Sequence, residues 1–205
     1  MTETTQSSNP FYFINKYRNT NIVYINKNEW LVPKYSSWEN IFEVHPTKML
    51  ENFRFAPALE PYKGIGLIST SNIKAGTWIG EYYGEIATQE YFTENNYPST
   101  YNFELDHGYY LSAHKKGGIM RFANHSCNPN TACNMYTWDS DFHLVFIATK
   151  DILPGEFIHL NYGFDIHDKE NFDGSEICRC GAENCFDREK FLSWLAESNR
   201  SNNIK

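Results

Sequence analysis

The sequence has no long hydrophobic run and no excess of positive charge. No stretch approaches the roughly 18 to 20 consecutive apolar residues that span a bilayer, and residues 1–10 are polar and lack a signal-like apolar stretch. We therefore expect an intracellular protein that does not associate with membranes. Lys and Arg number 18 against 25 Asp and Glu, for a net charge of -7 at pH 7. Because nonspecific nucleic-acid affinity depends on clustered Lys and Arg, direct nucleic-acid binding is not expected.

The acidic balance favours a basic protein or peptide as the partner. One stretch of the sequence repeats acidic residues, namely Glu81, Glu85, Glu90, Glu94, Glu104 and Asp106. The negative electrostatic field of these side chains can attract a Lys- and Arg-rich peptide. An ordinary solvated acidic face is the alternative interpretation.

Cysteine is absent from the first 126 residues. The five cysteines are Cys127, Cys133, Cys178, Cys180 and Cys185. The last three lie in one short Gly-containing loop, one ligand short of a tetrahedral zinc site. We favour Cys127 over Cys133 as the fourth ligand because it lies among polar residues just before an Asn-Pro turn. Without a secretion signal, metal binding is favoured over disulfides, and a redox pair or chance clustering remains the alternative.

The remaining composition predicts one globular domain that is mainly β with short helices. The 205 residues are 41% hydrophobic and 17% aromatic, enough for a substantial core. The turn at residues 74–76 lies between β-rich runs and predicts a hairpin, and residues 77–86 predict one strand kinked at Gly80 and Gly84. A second hairpin is predicted where Gly108 separates residues 101–106 from residues 109–111.

Two short helices are predicted. Thr88 is the expected N-cap of a helix that ends before the stretch at residues 95–98. In the tail, Phe191, Trp194 and Leu195 have helical spacing, which predicts a helix over residues 187–198.

The segment Arg121 to Asn130 carries the strongest functional signal. It reads Arg-Phe-Ala-Asn-His-Ser-Cys-Asn-Pro-Asn, so an amide, an imidazole, a hydroxyl and a thiol occupy adjacent positions. Polar side chains in series each need a partner if they are buried. The segment is therefore expected to border a ligand. By itself, His125 is more typical of a core histidine with satisfied hydrogen bonds than of a ligand-binding residue.

Together with this segment, several motifs in order resemble the SET-domain protein lysine methyltransferases. They span about residues 61–186 and comprise Lys63-Gly64-Ile65-Gly66-Leu67, Gly80-Glu81-Tyr82-Tyr83-Gly84-Glu85, Tyr101-Asn102-Phe103 through Asp106, Arg121 to Asn130, Asp151 to Glu156 and Asn161-Tyr162-Gly163. Residues 178–185 resemble the zinc-binding segment called post-SET. The resemblance implies small curved sheets with a pseudoknot, in which residues 124–125 thread beneath the loop after Tyr162.

The resemblance also implies a division of the chain and a set of cofactor residues. Residues 1–60 would form a supporting region, 61–165 the SET domain, 174–190 the zinc segment and 187–198 the C-terminal helix. The implied methyl donor is S-adenosylmethionine. Its implied contacts are Lys63, Gly64, Ile65, Tyr101, Asn124, His125 and Arg179, and the implied zinc ligands are Cys127, Cys178, Cys180 and Cys185.

Catalysis would depend on Tyr162, nearest the transferred methyl, and on Tyr82, which would line the channel for the substrate lysine. Either tyrosine alone would indicate only packing, since the chain has 14 of them. The implied substrate is a basic protein such as a histone tail, in the nucleus or on chromatin of the protein's own cell or of a host cell. Leu160 stands where many relatives carry an aromatic residue, so the degree of methylation is not predicted. A catalytically silent SET-like zinc module that binds a basic partner is the alternative.

Overall fold

A computed structural model describes residues 22–33, 55–139, 141–163 and 178–190, together with residues 192, 193 and 196. This part of the chain is mainly β with short helices, as predicted, and its strands form small sheets. The strands are β1 (Val23–Tyr24), β2 (Glu29–Trp30), β3 (Phe55–Glu60), β4 (Gly64–Ser69), β5 (Trp78–Tyr82), β6 (Glu85–Thr88), β7 (Asn102–Glu104), β8 (Tyr109–Ser112), β9 (Lys116–Gly117), β10 (Asn124–His125), β11 (Thr131–Trp138), β12 (Asp141–Ala148) and β13 (His159–Leu160).

The two longest strands, β11 and β12, form a three-stranded antiparallel sheet with β5 in the order β11-β12-β5. The central strand β12 contributes Phe142, Val145 and Phe146 to the core, each at most 1% exposed. Burial of such side chains stabilises a fold by about 1.5 to 3 kcal/mol each. The sheet therefore provides a rigid base, and Tyr82 is placed at the end of its edge strand β5.

A second sheet, in the order β2-β6-β8-β7, corrects the prediction of one kinked strand over residues 77–86. The chain leaves the first sheet after Tyr82 and enters the second at Glu85. Gly84 allows this change, because a Cβ there would lie 2.5 Å from the backbone oxygen of Ser112. The predicted hairpin between β7 and β8 is present, and Gly108 has the positive φ (76°) that its turn requires.

The predicted helix after Thr88 is α1 (Gln89–Glu94), and its N-cap is confirmed. The hydroxyl of Thr88 accepts a hydrogen bond from the backbone N–H of Tyr91 at 3.3 Å, and Phe92 is buried. In the tail, residues 188–190, 192, 193 and 196 are helical, while Phe191, Trp194 and Leu195 lie outside the described residues.

Replacing the cap should weaken the fold modestly. Thr88→Ala leaves the Tyr91 N–H without its side-chain acceptor, which we expect to lower the free energy of unfolding by about 1 kcal/mol. Urea denaturation would measure the change. Thr93→Ala is the matched control in the same helix, because its hydroxyl bonds the Gln89 carbonyl at an exposed position and does not cap the helix. An equal loss in both variants would contradict the capping role.

The hairpin predicted around residues 74–76 is wrong. Strand β4 pairs with β3, which precedes it, and not with the residues after Gly76. Gly76 instead donates its N–H to the Ala148 carbonyl at 2.7 Å, and Ile73 pairs with Ile152. The turn therefore docks against the end of β12 because these long-range hydrogen bonds replace the local pairing.

The two strands that matter most for function are β10 and β13, which pair in parallel. Asn124 lies opposite His159, and His125 lies opposite Leu160. Ser126 continues the pairing by donating its N–H to the Leu160 carbonyl at 3.0 Å. Two segments far apart in sequence are thus joined as the predicted pseudoknot requires. The loop after Tyr162, beneath which the thread was predicted to pass, includes residues 164–177, outside the described residues.

Candidate functional site

The parallel pair brings Tyr162 against His125, the residue that follows Asn124. The backbone N–H of Tyr162 donates to Nδ1 of His125 at 3.2 Å, and the two rings lie 5.4 Å apart. Burial, followed by the positive charges of Lys63 and His159, lowers the pKa of His125 to about 4. The imidazole is therefore neutral at pH 7 and able to accept this hydrogen bond.

The Tyr162 hydroxyl is fixed by the residue before β10. It donates to the Ala123 carbonyl at 2.8 Å. Although the residue as a whole is 40% exposed, burial of the phenol raises its pKa well above the usual value. The hydroxyl consequently stays protonated and acts as an oriented dipole.

Tyr82 and Tyr101 lie close to Tyr162. Burial raises the pKa of Tyr82 far above its usual value, with contributions from both other phenols, and its hydroxyl donates to the Tyr101 carbonyl at 3.1 Å. Tyr82 also packs on Phe103, with ring centroids 4.7 Å apart. The guanidinium of Arg121 covers the Tyr101 ring at 4.2 Å, a favourable cation–π arrangement. The three phenols thus form an aromatic cluster that is braced from one side.

The turn between β3 and β4 lies against the same strand pair. The side chain of Lys63 donates to the His125 carbonyl at 3.4 Å, and the Ile65 carbonyl accepts from Nδ2 of Asn124 at 3.1 Å. Gly64 has a φ of 83°, a conformation that favours glycine. Two of the residues predicted here from the Gly-x-Gly motif, Lys63 and Ile65, therefore contact His125 and Asn124, and Gly64 lies between them in the turn.

Sequence reasoning missed two residues of the site, Glu60 and His159. Glu60 is 4% exposed, and its carboxylate contacts Lys63, Nε2 of His159 at 2.7 Å and Nδ2 of Asn124 at 2.8 Å. Burial alone would raise the pKa of Glu60, but hydrogen bonds from His159, Lys63 and Asn124 lower it to about 2. No local pattern reveals this network, because His159 lies 99 residues from Glu60.

The lowered pKa makes Glu60 a source of acid-sensitive stability. A carboxylate whose pKa falls on folding stabilises the protein above its unfolded pKa and loses that contribution as pH falls through the folded value. Glu60 loses this stabilisation as the pH falls from about 4.5 to about 2. Its contribution to the free energy of unfolding is about 3 kcal/mol. Native protein should therefore exceed Glu60→Gln in free energy of unfolding at pH 7, with a smaller difference at pH 3. Urea titrations at both pH values measure this, and a constant difference would contradict the ionic role.

The four cysteines predicted as zinc ligands lie together. The sulfur atoms of Cys127, Cys178, Cys180 and Cys185 all lie within 4.8 Å of one another. In a tetrahedral site with Zn–S bonds of about 2.3 Å, sulfur atoms are roughly 3.8 Å apart, and the Cys127–Cys178 pair is at 3.9 Å. The donor set therefore fits zinc. Cys133 lies outside this group, on β11.

The cysteine cluster adjoins the cofactor residues through His125. Nε2 of His125 lies 3.4 Å from Sγ of Cys127, and the ring of Phe186 lies 6.5 Å from the imidazole. Arg179 lies between Cys178 and Cys180 in the sequence and is half-buried. Phe186, which directly follows the last cysteine, was not predicted and contributes a ring facing His125.

These surroundings fit S-adenosylmethionine as a ligand. Tyr162 and Phe186 are 40% and 41% exposed and flank His125, so they offer an aromatic surface for a flat base. Asn124 and the backbone of the turn at residues 63–65 offer polar groups beside it. An aromatic surface with a few placed polar groups beside it is typical of a nucleoside-binding site.

Comparison with known proteins identifies the family of the central region. Residues 64–163 match the family model of the SET domain. The chain is 36% identical over 129 residues to histone-lysine N-methyltransferase trr of Drosophila melanogaster, covering 60% of this chain and 5% of that protein. It is 35% identical over 130 residues to the H3 lysine-36 specific histone-lysine N-methyltransferase of Cryptococcus neoformans, covering 60% of this chain and 15% of that protein.

A plant protein matches in the same way. Histone-lysine N-methyltransferase ATXR7 of Arabidopsis thaliana is 32% identical over 142 residues, which is 66% of this chain and 10% of that protein. The chain thus spans less than a fifth of the length of each of these relatives. None of the helices in the described part is both long and apolar enough to cross a bilayer.

Proposed function

We propose that this chain, which contains a SET domain at residues 64–163, is an S-adenosylmethionine-dependent protein lysine N-methyltransferase. One observation carries the proposal. The parallel β10–β13 pair places the Tyr162 hydroxyl on the Ala123 carbonyl and the Tyr162 backbone on His125. A residue suited to align a reacting amine is thereby adjacent to residues suited to bind the methyl donor.

The methyl donor would be held beside strand β10. Its contacts are assigned to Asn124, His125 and the turn at residues 63–65, with Tyr101 and Arg179 at the edges. When bound, S-adenosylmethionine supplies a methyl carbon activated by a positive sulfonium. Zinc would be held by the thiols of the cluster at Cys127, Cys178, Cys180 and Cys185, which supports the segment that carries His125 and Phe186.

The chain's own residues need only align the reactants and keep the lysine amine neutral. A lysine of pKa about 10.4 is neutral about once in a thousand molecules at pH 7, a deficit of roughly 4 kcal/mol. A lysine amine inserted beside the rings of Tyr82, Tyr101 and Tyr162 would exchange water for aromatic surface, and desolvation lowers an amine pKa. The Tyr162 hydroxyl donates its hydrogen to the Ala123 carbonyl, so its oxygen can accept an N–H of the amine and direct the nitrogen lone pair toward the methyl carbon. Such alignment is the main contribution that these residues need to make.

The substrate is proposed to be a lysine in a basic protein, with a histone tail as the leading example. The net charge of -7 suits a Lys- and Arg-rich segment, and the similar proteins described above are named histone-lysine N-methyltransferases. Methylation of a histone would place the protein in the nucleus or on chromatin, in its own cell or in a host cell.

A direct assay tests the activity. The protein is incubated with labelled S-adenosylmethionine, a panel of histones and cell-extract proteins, and the products are analysed by mass spectrometry. We expect transfer to lysine, and the spectra identify the protein, the site and the number of methyl groups together. Absence of transfer under conditions where the donor binds would contradict the proposal.

A catalytically silent module that binds a basic partner is the second candidate, favoured only by the zinc-type cluster. Such a module has no chemical need for the hydrogen bond between Tyr162 and His125 next to Asn124. Calorimetric titration with S-adenosylmethionine separates the two, because the silent module is expected not to bind it.

A further inference from the structure

The carboxylate of Glu60 is the centre of a buried network beside Asn124 that the proposed chemistry does not use. Its three partners come from three segments: Lys63 from the turn after β3, Asn124 from β10 and His159 from β13. A buried ion is costly unless it is paired and hydrogen-bonded. Glu60 meets this condition only because the three segments converge on it.

The structure makes room for this carboxylate and keeps it ionised. A Cβ at position 66 would lie 2.6 Å from Oε2 of Glu60, so glycine at that position leaves the space that the side chain occupies. The hydrogen bonds that lower the pKa of Glu60 to about 2 keep it charged at neutral pH. Both oxygens of an ionised carboxylate can only accept hydrogen bonds.

This property determines which way the Asn124 amide faces. Its Nδ2 group has two hydrogens, and both are used: one bonds Oε2 of Glu60 at 2.8 Å and the other bonds the Ile65 carbonyl at 3.1 Å. Since both partners are obligate acceptors, the reversed amide would set oxygen against oxygen. The amide oxygen Oδ1 of Asn124 is consequently the group left to meet a ligand, and it can only accept.

Glu60 also balances a positive charge at the edge of the site. The ammonium of Lys63 contacts the Glu60 carboxylate and reaches the His125 carbonyl at 3.4 Å. Without the carboxylate, this ammonium would repel a positively charged ligand. The repulsion would be strong because the site is partly buried, where charges are weakly screened.

We propose that Glu60 is a positioning residue of the methyl-donor pocket, which holds the Asn124 amide with its oxygen toward an N–H or O–H donor of the ligand and balances the charge of Lys63. The role rests on the proposed function, since it concerns the same ligand. It adds to that function a residue, Glu60, that acts through Asn124 without touching the reacting atoms.

The isosteric variant Glu60→Gln should disturb the amide more than its small size change suggests. Lys63 can only donate, so it selects the Gln oxygen and turns the Gln amino group toward Asn124. The Gln amino group then faces Nδ2 of Asn124, so two hydrogen-bond donors meet. If the Asn124 amide reverses instead, its oxygen faces the Ile65 carbonyl, so two acceptors meet. We expect calorimetry to show about tenfold or more weaker binding of S-adenosylhomocysteine, the loss typical of one disrupted hydrogen bond in a polar site.

Two comparison variants separate positioning from stability. Glu60→Ala removes more of the side chain but leaves the Asn124–Ile65 hydrogen bond unopposed, so it should weaken S-adenosylhomocysteine binding less than Glu60→Gln does. Glu85→Gln removes another buried carboxylate, which bonds Tyr97 and lies near Lys116, and should leave ligand affinity unchanged. In both Glu60 variants, S-adenosylmethionine should lose more affinity than S-adenosylhomocysteine, which lacks the positive sulfonium, because the charge of Lys63 is no longer balanced.

The outcomes separate this role from the activity itself. Native affinity in Glu60→Gln, or a greater loss in Glu60→Ala than in Glu60→Gln, overturns the role of Glu60 and leaves the methyltransferase proposal standing. If native protein binds neither ligand, the proposed function fails and the role of Glu60 fails with it. Should Glu60→Gln not fold, NMR of native protein decides: we expect slow solvent exchange of the Asn124 Nδ2 protons with and without S-adenosylhomocysteine, and rapid exchange of both overturns the role.

Discussion

Tyr162→Phe is expected to lower kcat about a hundredfold or more, the scale of loss when one oriented group of an active site is removed. The phenol hydroxyl is the only group lost, and it is the group fixed on the Ala123 carbonyl at 2.8 Å. A phenylalanine ring can still face His125, and the Tyr162 backbone N–H keeps its hydrogen bond to that imidazole. Binding of S-adenosylhomocysteine should therefore stay within about twofold of native, so that the loss appears in turnover.

Steady-state kinetics and calorimetry on the same preparation measure the two quantities. Tyr109→Phe is the matched control, since its hydroxyl also donates to a backbone carbonyl, that of Pro33, at 3.4 Å. It removes the same atom away from Asn124 and His125. Unchanged turnover in Tyr162→Phe would remove this residue from the assigned role, and equal losses of turnover in both variants would point to a general effect on the fold.

Features set by neighbouring residues could be predicted from the sequence. The Thr88 cap and the Gly108 turn each depend on a few adjacent positions, and capping and turn chemistry act over that range. The close spacing of the last three cysteines is equally local. The choice of Cys127 over Cys133 as their companion depended on the polar residues around it, and the four sulfur atoms do lie together.

Features set by partner choice could not be predicted. Strand β4 pairs with β3, and residues 74–76 dock on β12, although the local signal favoured a hairpin at that turn. The sequence at residues 74–76 correctly predicted a turn of the chain. It contained no information about which strand would form hydrogen bonds with that turn. Glu60 and His159 illustrate the same limit, because an isolated glutamate and an isolated histidine reveal no pairing across 99 residues.

Loss of the metal should affect the methyl-donor pocket as well as the cysteine segment. Cys127 joins the two: its sulfur lies 3.9 Å from that of Cys178 and 3.4 Å from Nε2 of His125. Its backbone carbonyl also accepts from Nδ2 of Asn184 at 2.9 Å. Without a cation, burial and neighbouring cysteines raise the pKa of the Cys127 thiol, whereas a bound divalent cation favours the thiolate.

Cys127→Ser is therefore expected to lose most bound zinc and, with it, much of the affinity for S-adenosylhomocysteine. Structural zinc in small domains contributes about 10 kcal/mol or more to local folding, so three remaining thiols should not hold the segment that carries Phe186 against His125. Elemental analysis should find about one zinc per native chain and far less in the variant. Calorimetry should then show about tenfold or greater weakening of the ligand, equivalent to about 1.4 kcal/mol.

Cys133→Ser is the matched control, because it makes the same atomic change on β11, outside the cluster. It should keep the zinc and bind S-adenosylhomocysteine as the native protein does. If Cys133→Ser releases the metal and Cys127→Ser keeps it, the ligand assignment is wrong. If Cys127→Ser loses zinc but binds S-adenosylhomocysteine normally, the metal stabilises only the cysteine segment. The contact between Cys127 and His125 then has no effect on ligand affinity. Zinc restored to chelator-treated native protein should recover both the metal content and the affinity, since the four thiols that hold the segment are then intact.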